Sequence, residues 1–414
     1  MSVTANDLER ATKRLRQHPL DYATWLEVAA LLAALGHAEE AEEAFAAIGE
    51  GARVGGQVAL AVACGRHLAE LGNVRGPELI EQIVDLYAEL KLPRAKTEPP
   101  VPSGEIPIAS LSAGAPSVPA QADAVADARE VVATLGAWLA ARKVSKRPVA
   151  PLLSSLSKAG ARALIGVMSA RPVAAGTVVI DVGQPATALY WVAHGTLAVS
   201  RPSDTRAETE LGELHSGGLF GEIALVGGMN RTARVTARED SWLLEIPARA
   251  VEAAAQKQPK LAEVLATHAR HRLLGNLVRT SELFRALAPI DRDALLEKFT
   301  TELVPAGTKI LREGTANQYL WVVVSGKCTV TSAGAAIAEL GPGAAVGEIS
   351  LVSGASAVAD VTAQEPAVLL RLSKADFDEV GKQHPALVKE VEKLVVARET
   401  ANRALFQDAS DLIV

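Results

Sequence analysis

Residues 220–237 read FGEIALVGGMNRTARVTA and hold the residue types that bind an anion. Gly221 lets a backbone come close to a ligand, and the EIAL turn after it offers N–H groups at the start of a helix. Arg231, nine residues beyond Glu222, supplies a planar fork of donors that can meet two oxygens of one phosphate. Glu222 is an acid beside an anion site, which is out of place unless it has a separate task. Taken singly, Arg231 also fits a solvated turn residue and Glu222 a helix N-terminal acid; their spacing together favours the site. The stretch returns at 346–363 as VGEISLVSGASAVADVTA. Gly347 and Glu348 are kept, but Val346 replaces Phe220, Ser350 replaces Ala224, Ala357 replaces Arg231 and Asp360 replaces Arg234. The first copy is expected to hold the anion and the second to be degenerate, unless an arginine from elsewhere compensates.

The elements that position these loops are repeated as well. AAGTVVIDVGQPATALYWVAHGTLAV (174–199) aligns with PAGTKILREGTANQYLWVVVSGKCTV (305–330) at an offset of 131, matching Gly176 with Gly307, Gly183 with Gly314, Tyr190 with Trp321 and Gly195 with Gly326. Beyond the polar stretch RPSDTRAETE the offset falls to 126, which places a five-residue hairpin insertion in the first copy. Short β-rich runs cut by regularly spaced glycines predict a barrel or sandwich, with a helix after each. The expected domains are 150–280 and 281–406, followed by a tail, 407–414.

Ahead of them, residues 1–91 show the three-and-four spacing of packed amphipathic helices. Trp25, Leu32, Gly36, Ala41 and Phe45 resemble the pattern of a tetratricopeptide repeat, in which small residues let two helices approach and large ones fill the groove between them. A degenerate unit with Gly65 and Gly72 follows; a plain helical bundle is the alternative. Residues 92–120, rich in Pro, Ala and Ser, read as a semi-extended linker, and 121–149 as a connecting helix that abuts the strands after it. The fold expected is multidomain α+β: an N-terminal helical repeat region, then two β-roll, jelly-roll-like barrels with flanking helices.

The 414-residue chain, 49% hydrophobic and 22% charged with a net charge of −6, is globular in composition and carries no basic footprint for nucleic acid. Its two cysteines, Cys64 and Cys328, fall in different predicted domains and argue against a disulfide framework. No apolar run approaches the roughly 18 residues of a membrane span, and the N-terminus lacks a signal-peptide core. A cytoplasmic setting is expected. No nucleophile motif, metal-ligand spacing or P-loop is present, so neither an enzyme nor a metal or cofactor is expected.

The glycine-spaced strands followed by F-G-E-x-A-L and R-T-A resemble the phosphate-binding cassette of the cyclic-nucleotide-binding domain family, over roughly residues 150–400 as a tandem pair. The resemblance implies cyclic AMP, or cyclic GMP, as ligand, with Phe220, Gly221, Glu222, Ile223, Ala224, Arg231, Thr232 and Ala233 as the binding residues and Gly347, Glu348 and Ala357 as a degenerate second site. It implies that Glu222 accepts from the ribose 2′-hydroxyl. It also implies that a hydroxyl at Thr232 touches the phosphate or a guanine amino group, which leaves the base open. The base would be covered from the helix KLAEVLATHARHRLLGNLV. Bacterial relatives often precede a DNA-reading winged helix, but about 30 residues after the second copy are too few for one.

The layout is similar to the regulatory subunit of cyclic-AMP-dependent protein kinase. It implies a sensor and adaptor whose helices grip a protein partner or a second copy of the chain. A scaffold with two non-binding barrels and a kinase inhibitor of the regulatory-subunit kind are the alternatives. The stretch ARKVSKR, with Ser145, resembles a basophilic kinase target, although basic residues also suit a helix C-terminus.

Overall fold

A computed structural model describes residues 3–90, 115–142, 150–201, 208–281 and 295–386, with Phe284, Ala288 and parts of 388–400. Most of the expected linker, Ser145 and the tail lie outside these residues. The described chain divides into two units, 1–269 and 270–414.

Thr4 opens the first helix with a capping box, its N–H donating to the Asp7 carboxylate at 2.9 Å while its hydroxyl accepts from the Asp7 N–H. Helices α1 (Ala5–Gln17), α2 (Tyr22–Ala34), α3 (Ala38–Gly55), α4 (Val58–Glu70) and α5 (Arg75–Tyr87) follow one another through tight turns. Trp25 is fully buried and its indole N–H donates to the Pro19 carbonyl at 3.0 Å. Gly76 lies so close to α4 that a Cβ there would stand 2.7 Å from the Gly65 carbonyl, so these two glycines set the α4–α5 approach. α6 (Ala124–Ala140), expected to abut the strands, packs back onto α1 and α3 instead. Arg16 reaches Asp127 at 2.6 Å there, and Val118, at the end of the predicted linker, joins the same core. The reason is that α6 is apolar on the side that α1 and α3 leave open, with Val131, Leu135 and Leu139 buried.

After the short helices α7 (Pro151–Ser154) and α8 (Lys158–Gly166) come β1 (Ser169–Val173), β2 (Val178–Ile180), β3 (Ala188–His194), β4 (Leu197–Arg201), β5 (Thr209–Leu214), β6 (Leu219–Phe220), α9 (Glu222–Gly227), β7 (Arg234–Ala237) and β8 (Ser241–Pro247). α10 (Ala248–Lys257) and α11 (Pro259–Thr280) follow the strands. The strands form two four-stranded antiparallel sheets, ordered β1-β8-β3-β6 and β2-β7-β4-β5, with Tyr190, Val192, Leu197, Phe220 and Val235 packed together in one core. Of the barrel or sandwich that the strand pattern allows, this is a sandwich, and the β-roll, jelly-roll-like barrel does not close. Short strands such as β2 and β6 pair on one side only and leave the sheets separate.

The second domain repeats the order: β9 (Thr300–Val304), β10 (Lys309–Leu311), β11 (Tyr319–Ser325), β12 (Cys328–Ser332), β13 (Ala335–Leu340), β14 (Ala345–Val346), α12 (Glu348–Ser353), β15 (Asp360–Ala363), β16 (Ala367–Ser373) and α13 (Lys374–Gln383). Its sheets run β14-β11-β16-β9 and β10-β15-β12-β13. β12 and β13 join through Ala333 and Gly334, both at positive φ, whereas β4 and β5 pair across a longer connection that takes up the five extra residues.

The Pro-rich stretch 92–120 predicts helices set apart from the strands. In the structure they sit on the first sandwich. Ala188 to Ala193 of β3 are all buried, because alternate residues face opposite covers: Tyr190 and Val192 point into the sandwich, while Leu189, Trp191 and Ala193 belong to the core of the helices. α4 lies against β3, β1 and β8. Arg66 donates to the Met168 carbonyl at 2.8 Å, the Trp242 ring lies 5.3 Å from Phe45 and 5.5 Å from His67, and Arg162 and Lys158 of α8 pair with Glu81 and Asp85 of α5. Among the described residues no helix is long and apolar enough to cross a membrane.

Candidate anion site

The loop after β6 turns on Gly221, whose φ of 90° is open to glycine and strained for other residues. α9 begins at Glu222 and stops at Gly228, also left-handed, and the chain then comes back along β2. Two backbone bonds hold it there: the Gly183 N–H donates to Arg231 O at 2.9 Å and the Arg231 N–H donates to Gln184 O at 2.8 Å. The Arg231 side chain is thereby aimed inward and is 5% exposed. Nη1 donates to the Gly221 carbonyl at 2.8 Å and Nη2 to the Ala188 carbonyl at 2.6 Å. A Cβ on Gly221 would come within 2.7 Å of Nη1, so the glycine admits the guanidinium as well as turning the chain. The Tyr190 ring lies 6.0 Å from the guanidinium carbon and stacks on Phe220 at 5.0 Å.

Burial pushes the Arg231 pKa down from its ordinary value, opposed by Tyr190 and Glu222. A guanidinium starts so high that it stays charged at any pH where the protein is folded. The site is a buried cation, two of whose five N–H groups are spent on backbone carbonyls among the described residues. These two bonds leave the other three N–H groups unspent.

The predicted residues gather here in different ways. Glu222 is 1% exposed beside Arg231. Ile223 is half-buried in α9, and the Ala224 carbonyl accepts from Met229 N–H at 3.0 Å. Thr232 and Ala233 are half-buried, and the Thr232 carbonyl accepts from Arg201 Nε at 3.2 Å. Phe220, 1% exposed and stacked on Tyr190, lies inside the sandwich core and supports the loop from behind. Sequence reasoning did not find three contributors: the Ala188 carbonyl, Tyr190 as a platform, and half-buried Arg201, whose Nε ties the Thr232 carbonyl. Tyr190 was marked by its alignment with Trp321; a backbone carbonyl has no mark in the sequence at all.

The second loop has the same frame. Gly347 has a φ of 84°, α12 follows, and Gly314 N–H to Ala357 O and Ala357 N–H to Thr315 O, both 2.8 Å, repeat the pair around Arg231. Glu348 is 3% exposed and Ala357 5%, its methyl joining the core with Trp321 and Val346. Asp360 does not stand as a bare carboxylate beside the loop. It pairs with Lys309 at 2.6 Å, accepts from the Glu313 N–H, and is held below the usual carboxylate range by that lysine.

The cyclic nucleotide-binding domain family matches the chain twice, over residues 170–258 and 301–384. A cyclic nucleotide-gated potassium channel of Mesorhizobium japonicum is 30% identical over 114 residues, 28% of this chain and 30% of its own length. The cAMP-dependent protein kinase regulatory subunit of Hypocrea atroviridis is 24% identical over 238 residues, 55% of this chain and 49% of its own. The cyclic AMP receptor protein of Thermus thermophilus is 32% identical over 126 residues, 29% of this chain and 58% of its own. The chain thus spans 58% or less of each of these relatives. The two stretches that match this family model lie in tandem on the chain.

Proposed function

We propose that the protein is a cyclic nucleotide sensor that binds one ligand per chain, in the first domain, and passes its occupancy to a protein partner through the helices. The observation that carries this reading is Arg231: a buried guanidinium with three donors to spare, framed by Gly221 and Glu222, and present in one domain only. Arg231 meets the cyclic phosphate, the loop N–H groups of Ile223 and Ala224 add donors, and Glu222 accepts from a ribose hydroxyl. Thr232 and Ala233 complete the rim. Cyclic AMP, which the names of two relatives carry, is the first ligand to try, with cyclic GMP beside it.

The route to the helices is short. Ala188, whose carbonyl the guanidinium holds, precedes Leu189, which is packed in the helical core. A ligand that draws Arg231 toward its phosphate therefore loads the strand that α4 covers. Calorimetric titration of the full chain with cyclic AMP and with cyclic GMP tests the reading. One equivalent of either supports it, and heat from neither leaves the chain a scaffold. Co-precipitation by the full chain, with and without ligand, tests the adaptor role; equal recovery of every partner would remove it. Deleting residues 1–91 is a poor test, because it uncovers Leu189 and Trp191.

A further inference from the structure

The two carbonyls that Arg231 bridges, those of Ala188 and Gly221, correspond in the second domain to those of Tyr319 and Gly347. Both accept from one side chain there. Asn317 Nδ2 donates to Tyr319 O at 2.6 Å and to Gly347 O at 3.3 Å, and Oδ1 accepts from the Tyr319 N–H at 3.1 Å. Turning the amide over would set oxygen against two carbonyl oxygens, so its orientation is determined. Asn317 corresponds to Ala186. Where the first domain has Ala186 and Arg231, the second has Asn317 and Ala357, and the donor has crossed to the opposite segment of chain. Gly347 receives it as Gly221 receives the arginine: a Cβ would lie 2.6 Å from Asn317 Nδ2, against 2.7 Å from Arg231 Nη1.

The substitution keeps two of the five donors that Arg231 offers. A guanidinium has five N–H groups, and two on the carbonyls leave three; a carboxamide has two, and both are used. It also brings no charge. Two cations among the described residues stand nearby, and both are engaged: Arg371 lies 5.7 Å over the Trp321 ring and pairs with Glu302 at 2.6 Å, and Lys374 Nζ donates to the Leu351 carbonyl at 3.1 Å and pairs with Asp378 at 3.2 Å.

We propose that Asn317 is an internal replacement for the ligand-binding arginine, and that it holds the second Gly-Glu loop in place without a ligand while leaving no donor for an anion. This rests on the reading of Arg231 as the phosphate-binding group. Asn317 is then the residue that makes the second domain insensitive to cyclic nucleotide, and Gly347 is retained because the tie needs it.

Amide hydrogen exchange on the full chain, without nucleotide, follows the tie directly. Asn317→Ala is expected to speed exchange of the amides in 347–353 by about tenfold or more, since it unpairs two carbonyls and an N–H, and to leave 221–227 unchanged. Adding Ala357→Arg to that variant is expected to restore protection and to raise the cyclic AMP taken up from one equivalent to two. Unchanged exchange in Asn317→Ala overturns the proposal. So does a double variant that regains protection but still takes up one equivalent. If the wild-type chain takes up no cyclic nucleotide, the reading of the first site fails, and the exchange arm still decides whether Asn317 is the tie.

Discussion

The two domains pair the same strands with charges exchanged. Arg171 faces Glu245 at 3.5 Å in the first; at the corresponding positions of the second, Glu302 faces Arg371 at 2.6 Å. Arg234 pairs with Asp181 at 2.9 Å in the first, whereas in the second Asp360 takes the place of Arg234 and pairs with Lys309. Such pairs can reverse because each partner's charge is answered inside the chain, and only the sum matters. Arg231 was not exchanged in this way. It was lost, Glu222 stayed behind as Glu348, and a neutral amide took over the two carbonyls. On the reading proposed for Arg231, the difference between the domains is the difference between a pair closed within the chain and one completed by a ligand.

That comparison can be broken most severely on the back of the first sheet. Trp191→Ala empties a site that is 4% exposed between β3 and the helices, and should cost about 3–5 kcal/mol in the unit 1–269. Denaturant unfolding followed by two probes should show that unit's transition moving while the unit 270–414 keeps its own. A shift of both would mean that the domains are not independent enough to compare.

Arg231→Ala comes next. Losing two hydrogen bonds to a charged group, at about 1.5–3 kcal/mol each, should weaken cyclic AMP binding on the order of a hundredfold to a thousandfold or more. Full affinity in this variant would transfer the site to the second domain. Glu222→Gln should weaken binding about tenfold or more by changing an acceptor for ribose, and Glu348→Gln should leave the titration unaltered. Equal losses in the two variants would erase the proposed division of labour.

Smaller effects sharpen it. Reversing Asp181 or Arg234 alone should lower the thermal midpoint slightly, and reversing both should recover part of it, the rest being lost with the Arg234–Glu208 pair; a double variant no better than the singles would argue against exchange of the pair. The last concerns pH. Burial against Phe45 and Trp242 pushes the His67 pKa below its ordinary 6.5, with Glu70 and Glu42 partly opposing. The unfolded chain then binds a proton first as pH falls below 6.5, so the stability held with neutral His67 is lost from about pH 6.5 downward. His67→Gln should flatten that slope in unfolding curves between pH 7 and 5; an unchanged slope would assign it to other groups.

Much of this was legible in one dimension. The repeat, its glycines, the five-residue hairpin difference and the exchange of Arg231 for Ala357 are local patterns, since turns demand particular φ values and strands a period of two. The stretch LYWVA was legible too, had it been read as a strand covered on both faces. What covers it was not: α4 meets β3 only once both are folded, and α6 turns back to α1 and α3 for the same reason. Nor could spacing show that Arg231 holds the carbonyls of Ala188 and Gly221, because every residue has a carbonyl and only packing decides which one points where. Asn317 lies forty positions from Ala357 and reads as an ordinary polar residue in a turn. It became the counterpart of an arginine when the sheet register brought Tyr319 and Gly347 within reach of one amide.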